Sequence, residues 1–251
     1  MTPVRHLAPA NKVCEYFLGL RVTGTPALAE DEIHVWHQNL APGRADVEAL
    51  GSLLSPDEME RAMRFRFDAN RNEFIVCRGT LRDLLGQYLS VSPKDLCFEY
   101  SEYGRPSLAA VHSEESLDFN VSHSGGHALL GFARGRKIGL DIEKVRWDFG
   151  TSEIAERFFS EAERSALRDL PQNQRHDAFF RCWTRKEAFI KALGEGLSHP
   201  LDQFDVSLAP SALAQLLATR PDANEARRWR IWDLQAPTGY AAALVAESIL
   251  G

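Results

Sequence analysis

The sequence predicts an α+β fold of two similar, pseudo-symmetric halves, each a small, mainly antiparallel sheet packed against helices, with the site between them. Three observations carry this. Leu54-Ser55-x-x-Glu58 recurs as Phe159-Ser160-x-x-Glu163, Phe74-Ile75-x-Cys77 as Phe179-Phe180-x-Cys182, and Ile33-x-Val35 as Ile138-x-Leu140. The offsets 160 − 55, 179 − 74 and 138 − 33 all equal 105, in one element order. Helix and strand spellings alternate through both stretches, and 251 residues suffice for one large core or two modest ones. The expected division is an irregular extension over 1–30, a first half over 31–118 and a second half over 119–251.

Residues 1–30 carry Pro, Ala, Gly and Thr without a clear period. Ile33 to His37 reads as a short strand. Ser55-Pro56-Asp57-Glu58 opens a helix, with Ser as N-cap, Pro at the first helical position and Glu closing the capping box. Asp68 is a candidate cap for the next helix, whose apolar face is Phe74, Cys77, Leu81, Leu84, Leu85 and Tyr88. A strand at Leu96–Tyr100 and a turn at Gly104-Arg105-Pro106 follow. Phe119 to His123 reads as a strand running into Ser124-Gly125-Gly126. Residues 128–133 and 137–143 read as a hairpin around Arg134-Gly135-Arg136. Ser160 opens a helix that stops before Pro171, and a longer one runs from Asp177 to Leu193, ending at Gly194. The remainder reads as strand 204–208, short helix 211–217, strand 230–234, a turn at Pro237-Thr238-Gly239 and strand 240–246.

Composition excludes several classes. With 29 Lys+Arg against 35 Asp+Glu the chain carries −6, which argues against nucleic acid as a partner but not against one anionic small molecule. No stretch approaches the ~18 continuous apolar residues of a membrane span. The apolar patch near residue 15 is broken by Glu15 and makes a poor signal peptide, so a cytoplasmic protein is expected. Cys14, Cys77, Cys97 and Cys182 form no C-x-x-C pair, which suggests reduced thiols rather than a zinc ribbon or a disulfide framework.

Three motifs carry chemistry. In Ile138-Gly139-Leu140-Asp141-Ile142-Glu143, strand alternation puts Asp141 and Glu143 on one face, opposite Ile138, Leu140 and Ile142. Paired carboxylates repel unless a cation lies between them, and such oxygens suit Mg²⁺. A solvated strand face reads as well from this motif alone. On the 177–193 helix, Trp183, Glu187, Ile190, Lys191 and Gly194 share a face, with Glu187 and Lys191 one turn apart as an ion pair would be. An ordinary surface bridge is the alternative, weakened because the charges share a face with Trp183 and Ile190 and because Gly194-Glu195-Gly196-Leu197 permits close approach of another backbone. Asn120-Val121-Ser122-His123-Ser124-Gly125-Gly126 offers hydroxyl, imidazole and glycine-freed amides to phosphate oxygens. As a Ser–His nucleophile it lacks the orienting acid, and adjacent strand positions face opposite ways.

Together, Phe119-Asn120-Val121-Ser122-His123-Ser124, Gly139-Leu140-Asp141-Ile142-Glu143 and Trp183-Thr184-Arg185-Lys186-Glu187-Ala188-Phe189-Ile190-Lys191 resemble the 4′-phosphopantetheinyl transferases of the surfactin-synthetase-activator type. The resemblance runs from Ser55 to Ala246 and includes Tyr103-Gly104-Arg105-Pro106, Arg157 to Glu163, and Gly194-Glu195-Gly196-Leu197. It implies transfer of the phosphopantetheine arm of coenzyme A to a serine of an apo acyl or peptidyl carrier protein, by a monomer. It also implies Asp141, Glu143 and Glu187 as Mg²⁺ ligands, and Glu187 and Lys191 as the catalytic pair. Lys191 would touch the phosphate nearest the metal. Ser122, His123, Arg61 and Arg105 match coenzyme A contacts, His123 and Arg61 at the 3′-phosphate and Arg105 in the adenine-side loop. Two departures stand out: Glu58 replaces a basic residue of some members, and Arg105 a frequent Lys. The carboxylate set is complete, which argues against a non-catalytic coenzyme A or carrier-binding module. A Mg²⁺-dependent phosphohydrolase is the other alternative. Trp147, Phe149, Ile154 and Phe158 are candidates for docking the carrier or for core. By the same offset Asp141 faces Trp36 and Glu187 faces Arg82, so one metal site is expected.

Overall fold

The computed structural model describes residues 4–8, 11–18, 24, 26–41, 43–148 and 150–248. Two strands, β1 (Val4–Ala8) and β2 (Asn11–Phe17), stand where an irregular extension was expected. Glu15 explains the discrepancy. It breaks the apolar pattern, yet it is fully buried in β2, 2.7 Å from His37 Nε2 and accepting the Gln235 amide. Those partners lie 22 and 220 residues away, so no local pattern reveals them.

The first half then runs β3 (Glu32–Asn39), α1 (Arg44–Gly51), α2 (Pro56–Met63), α3 (Asp68–Leu89), β4 (Phe98–Tyr100), β5 (Pro106–Leu108), β6 (Leu117–Ser124) and β7 (His127–Arg134). The second runs β8 (Ile138–Lys144), α4 (Thr151–Phe158), α5 (Glu161–Asp169), α6 (Gln172–Leu193), β9 (Phe204–Val206), β10 (Leu216–Thr219), β11 (Trp229–Asp233) and β12 (Tyr240–Glu247). The sheet orders agree: β3-β7-β6 in one, extended by β2 and β1, and β8-β12-β11 in the other. The two halves share one topology, as the repeat implied.

The sheet boundary, however, falls at 134–138 rather than at 118, because β6 and β7 hydrogen-bond into the sheet of β3. The hairpin expected around Arg134-Gly135-Arg136 is absent for the same reason. β7 pairs with β6 and β3, whereas β8 pairs with β12, so the turn crosses between sheets. Residues 211–217 form no helix, and Leu216 instead starts β10. Asp68 begins α3 and pairs with Arg71 rather than capping it, and α6 begins at Gln172, earlier than expected.

Strand alternation explains the layering. Trp36, Leu130 and Phe132 face α3, while Ile33, Val35 and Leu129 meet Ile138, Leu140, Ile142 and Leu244 between the sheets. Ile231, Ala243 and Val245 then face α6. Both capping boxes form, and each buried glutamate holds the long helix behind it. Glu58 meets Arg78 and Arg82, and Arg82 also donates to the Pro93 and Leu96 carbonyls. Glu163 meets Lys186, which donates to the Leu201 and Phe204 carbonyls. By contact, then, Arg82 matches Lys186, one position off the constant offset, and Asp83 stands where the second half has Glu187. Trp36, only 1% exposed, still occupies the place of Asp141, so the expectation of a single carboxylate cluster is unaffected. Lys186→Met should lose ~3 kcal/mol of urea-unfolding stability, because Glu163 would be left buried and uncompensated.

Candidate active site

Three elements bring the site together: β6, β8 and the C-terminal half of α6. Gly139 lets α6 approach β8 backbone to backbone, since a Cβ there would lie 2.1 Å from the Ala188 carbonyl oxygen. Two residues further on the same face, Asp141 meets Lys191 of that helix. Lys191 Nζ lies 2.6 Å from Asp141 Oδ1 and 3.0 Å from Ser122 Oγ. Ser122 Oγ in turn donates to Asp141 Oδ1 at 2.9 Å. Glu143 Oε2 accepts from Ser124 Oγ at 2.9 Å. The salt bridge expected within the helix, Glu187 to Lys191, is replaced by one across to β8.

Electrostatics marks the same point. Burial, then the Asp141 charge, with Glu143 adding to it, pushes the Glu187 carboxyl up to about 7 against the pull of Lys191. Burial and then Asp141 raise Glu143 as well. Asp141 is 3% exposed, and its Oδ2 is buried with no hydrogen-bond partner. Among the described residues no three His, Cys, Asp or Glu side chains are already gathered into a metal cage. Instead Lys191 stands as the counter-ion on Asp141. The orphaned Oδ2 and the mutual repulsion of three carboxylates nevertheless fit a hard divalent cation.

One cleft reaches this cluster at Glu187 and Lys191, and a second shares Gly104, Pro106 and Val121 with it as walls. One, of about 320 Å³, is lined by Arg61, Phe74, Arg78, Tyr100 and His123. The other, of about 670 Å³, is lined by Tyr103, Arg105, Glu187, Ile190 and Lys191. The guanidinium of Arg61 lies over the Phe74 ring, 5.3 Å from its centroid. His123 is exposed at the cleft, and desolvation followed by the Lys191 charge holds its imidazole below the usual range.

Arg105 lines the larger cleft and also makes contacts that its motif did not show. Its guanidinium donates to the carbonyls of Lys191, Ala192 and Ile138 and to both oxygens of Asp118. It therefore ties the Gly104–Pro106 loop to α6 and β8. Glu58, a departure in the sequence, lines neither cleft and is buried against Arg78 and Arg82, of which Arg78 lines the smaller cleft. Of the docking candidates, Ile154 and Phe158 pack on the second-half core, Trp147 is 74% exposed and stacks on His176, and Phe149 lies outside the described residues. Ser124, read with its motif as a contact for phosphate oxygens, donates its hydroxyl to Glu143 in the structure.

Comparison with known proteins identifies the family. A family model described as the 4′-phosphopantetheinyl transferase superfamily matches residues 137–245, and one described as 4′-phosphopantetheinyl transferase, N-terminal, matches 38–133. The 4′-phosphopantetheinyl transferase HetI of Nostoc sp. strain PCC 7120 is 40% identical over 189 residues, covering 75% of this chain and 79% of that protein. The 4′-phosphopantetheinyl transferase Sfp of Bacillus subtilis strain 168 is 34% identical over 161 residues, 64% of this chain and 69% of Sfp. The 4′-phosphopantetheinyl transferase psf-1 of Bacillus pumilus is 32% identical over 174 residues, 69% of this chain and 72% of its own length. With both halves matched and such relatives covered over more than two thirds of their length, the chain belongs to the 4′-phosphopantetheinyl transferase superfamily, in its Sfp-like branch.

Proposed function

We propose that the protein transfers the 4′-phosphopantetheine arm of coenzyme A to a serine of an apo acyl or peptidyl carrier protein, releasing adenosine 3′,5′-bisphosphate. The observation that carries the reading is the coupling of Asp141, Glu143, Glu187 and Lys191, with Glu187 and Lys191 lining the larger cleft. Asp141, Glu143 and Glu187 would hold Mg²⁺, which when bound supplies charge neutralisation to the pyrophosphate.

The chain's own residues account for the rest. Arg61 and His123, which line the smaller cleft, would hold the nucleotide end of coenzyme A, the 3′-phosphate included. Lys191, only 3.0 Å from Ser122, sits where one ammonium can pass from Asp141 to a phosphoryl oxygen and offset charge as the leaving group departs. Ser122, which matches a coenzyme A contact of the family, keeps Lys191 and Asp141 in register until then. The carrier serine attacks the phosphorus bearing pantetheine. As the new O–P bond forms and the bond to the bisphosphate breaks, Glu187 takes the hydroxyl proton. Because ligation to a cation lowers a carboxyl's pKa, the proton would go to an oxygen of Glu187 not engaged with the cation, or to water.

Both sides of the cleft come from one chain, which supports a monomer. Four free cysteines accord with a reducing, cytoplasmic setting. No helix among the described residues is long and apolar enough to cross a membrane. The test is to incubate the protein with Mg²⁺, coenzyme A and an apo carrier protein, then weigh the carrier. A mass gain is expected. An unchanged carrier with consumed coenzyme A would mean a hydrolase, and neither change a binding module.

The pH dependence follows from Glu187. With its carboxyl near 7, cation binding must displace a proton, about half of one per ion at pH 7. Apparent Mg²⁺ affinity should therefore rise through pH 6–8 and level off above, as the carboxyl ionises unaided. Calorimetric titration in two buffers of different ionisation enthalpy measures the proton count, and a count of zero at pH 7 would contradict the assignment.

A further inference from the structure

β6 spells Asp118-x-Asn120-x-Ser122-x-Ser124, and all four short side chains perform one task. Asp118 Oδ2 accepts the Ile138 amide at 2.9 Å and Asn120 Oδ1 the Leu140 amide at 2.9 Å. Ser122 Oγ accepts the Ile142 amide at 3.3 Å and Ser124 Oγ the Lys144 amide at 3.2 Å. Every second residue of one strand thus satisfies every second amide on the outer edge of β8, whose other edge is paired with β12. Without these rungs β8 would present a row of unsatisfied amides at the junction of the halves.

The rungs are not chemically equal. A carboxylate or an amide oxygen can only accept here, whereas a hydroxyl accepts with a lone pair and still donates its own proton. At the two serine rungs that proton goes to the carboxylate of the residue just before the anchoring amide. Ser122 gives it to Asp141 and Ser124 to Glu143, each at 2.9 Å. The β6–β8 register therefore sets the carboxylates as well as the backbone. Ser122 is also held by Lys191, but Ser124 makes only the Lys144 and Glu143 contacts among those described.

We infer that Ser124 is a positioning residue for Glu143: a hydroxyl anchored on the Lys144 amide that fixes one carboxylate oxygen and so presets the cation site. The inference rests on the reading of Glu143 as a cation ligand. Hydrogen bonds of this outer kind typically change metal affinity about 10–100-fold.

The test uses the full chain without coenzyme A and follows bound Mn²⁺ by electron paramagnetic resonance. Ser124→Ala should bind Mn²⁺ about tenfold more weakly, and Ser124→Thr, which keeps the hydroxyl, should remain within about threefold of wild type. Asn120→Ala breaks a rung that carries no carboxylate. It should lower the melting temperature while holding Mn²⁺ affinity within about twofold. Ser124→Ala binding as tightly as wild type would overturn the inference alone, as would a Thr variant no better than Ala. Equal losses in Asn120→Ala and Ser124→Ala would assign the effect to the ladder and also overturn it. Wild-type protein that binds no Mn²⁺ would overturn the cation reading and the inference together.

Discussion

Glu187→Gln is expected to lower transfer by about 10³-fold or more, while coenzyme A affinity changes by no more than about threefold. Gln keeps the size of the side chain and the packing of α6, so the clefts survive. What disappears is the acceptor for the serine proton and one of three charges in a crowded cluster. Measuring carrier mass gain alongside equilibrium binding separates the two effects. Equal loss of transfer and binding would leave Glu187 a ligand only, with the proton taken elsewhere.

The same substitution has a stability signature of known sign. Burial and the Asp141 and Glu143 charges raise the Glu187 carboxyl from 4.5 to about 7 in the folded state. A carboxyl with a raised folded pKa costs stability as pH climbs from the unfolded value to the folded one. The cost is absent at pH 4 and complete above 7, at most ~3 kcal/mol and less where neighbouring carboxylates share it. In the absence of divalent cations Glu187→Gln should therefore melt higher than wild type at pH 8 and alike at pH 4. A variant that melts lower at pH 8 would contradict the crowding of carboxylates.

Gly139→Ala should be the most damaging single methyl in the protein, costing more than ~3 kcal/mol in urea unfolding. The added Cβ would lie 2.1 Å from the Ala188 carbonyl oxygen and 2.4 Å from the Ala192 nitrogen. Both are main-chain atoms of a helix, so relief requires α6 to move away from β8. That displacement carries Glu187 and Lys191 with it and opens the 2.6 Å contact between Lys191 and Asp141. Gly131→Ala is the control. Its Cβ would lie 2.7 Å from Leu140 Cδ1, the end of a side chain that can rotate, so the loss should be ~1–2 kcal/mol. A Gly139→Ala protein within 1 kcal/mol of wild type would mean that α6 and β8 are not in close contact.

Much of the site was legible because its residues obey local periods. Alternation along β8 put Asp141 and Glu143 on one face and the three aliphatic residues on the other, and the structure has them so. The capping boxes at Ser55 and Ser160 formed where their spelling placed them. The errors share a different origin. The 128–143 hairpin and the helix at 211–217 were assigned from neighbours in sequence, but strand partners are chosen by which sheet buries the apolar face. β2 was hidden because Glu15, polar in the sequence, is hydrogen-bonded in the core by partners far away.

The sequence by itself determined the repeat, the helix starts, the facing of the carboxylates and the family resemblance, all consequences of short-range geometry. Only the tertiary structure decided what those groups touch. Lys191 pairs with Asp141, 50 residues away, rather than with Glu187 one turn off. Arg105 reaches across 86 residues to the end of α6 as a strut. Ser124 reaches across 19 to Glu143. Each of these contacts depends on how closely β6, β8 and α6 approach. That distance is set by packing around Gly139 and by the side-chain ladder between the halves, and no periodicity within one segment encodes it.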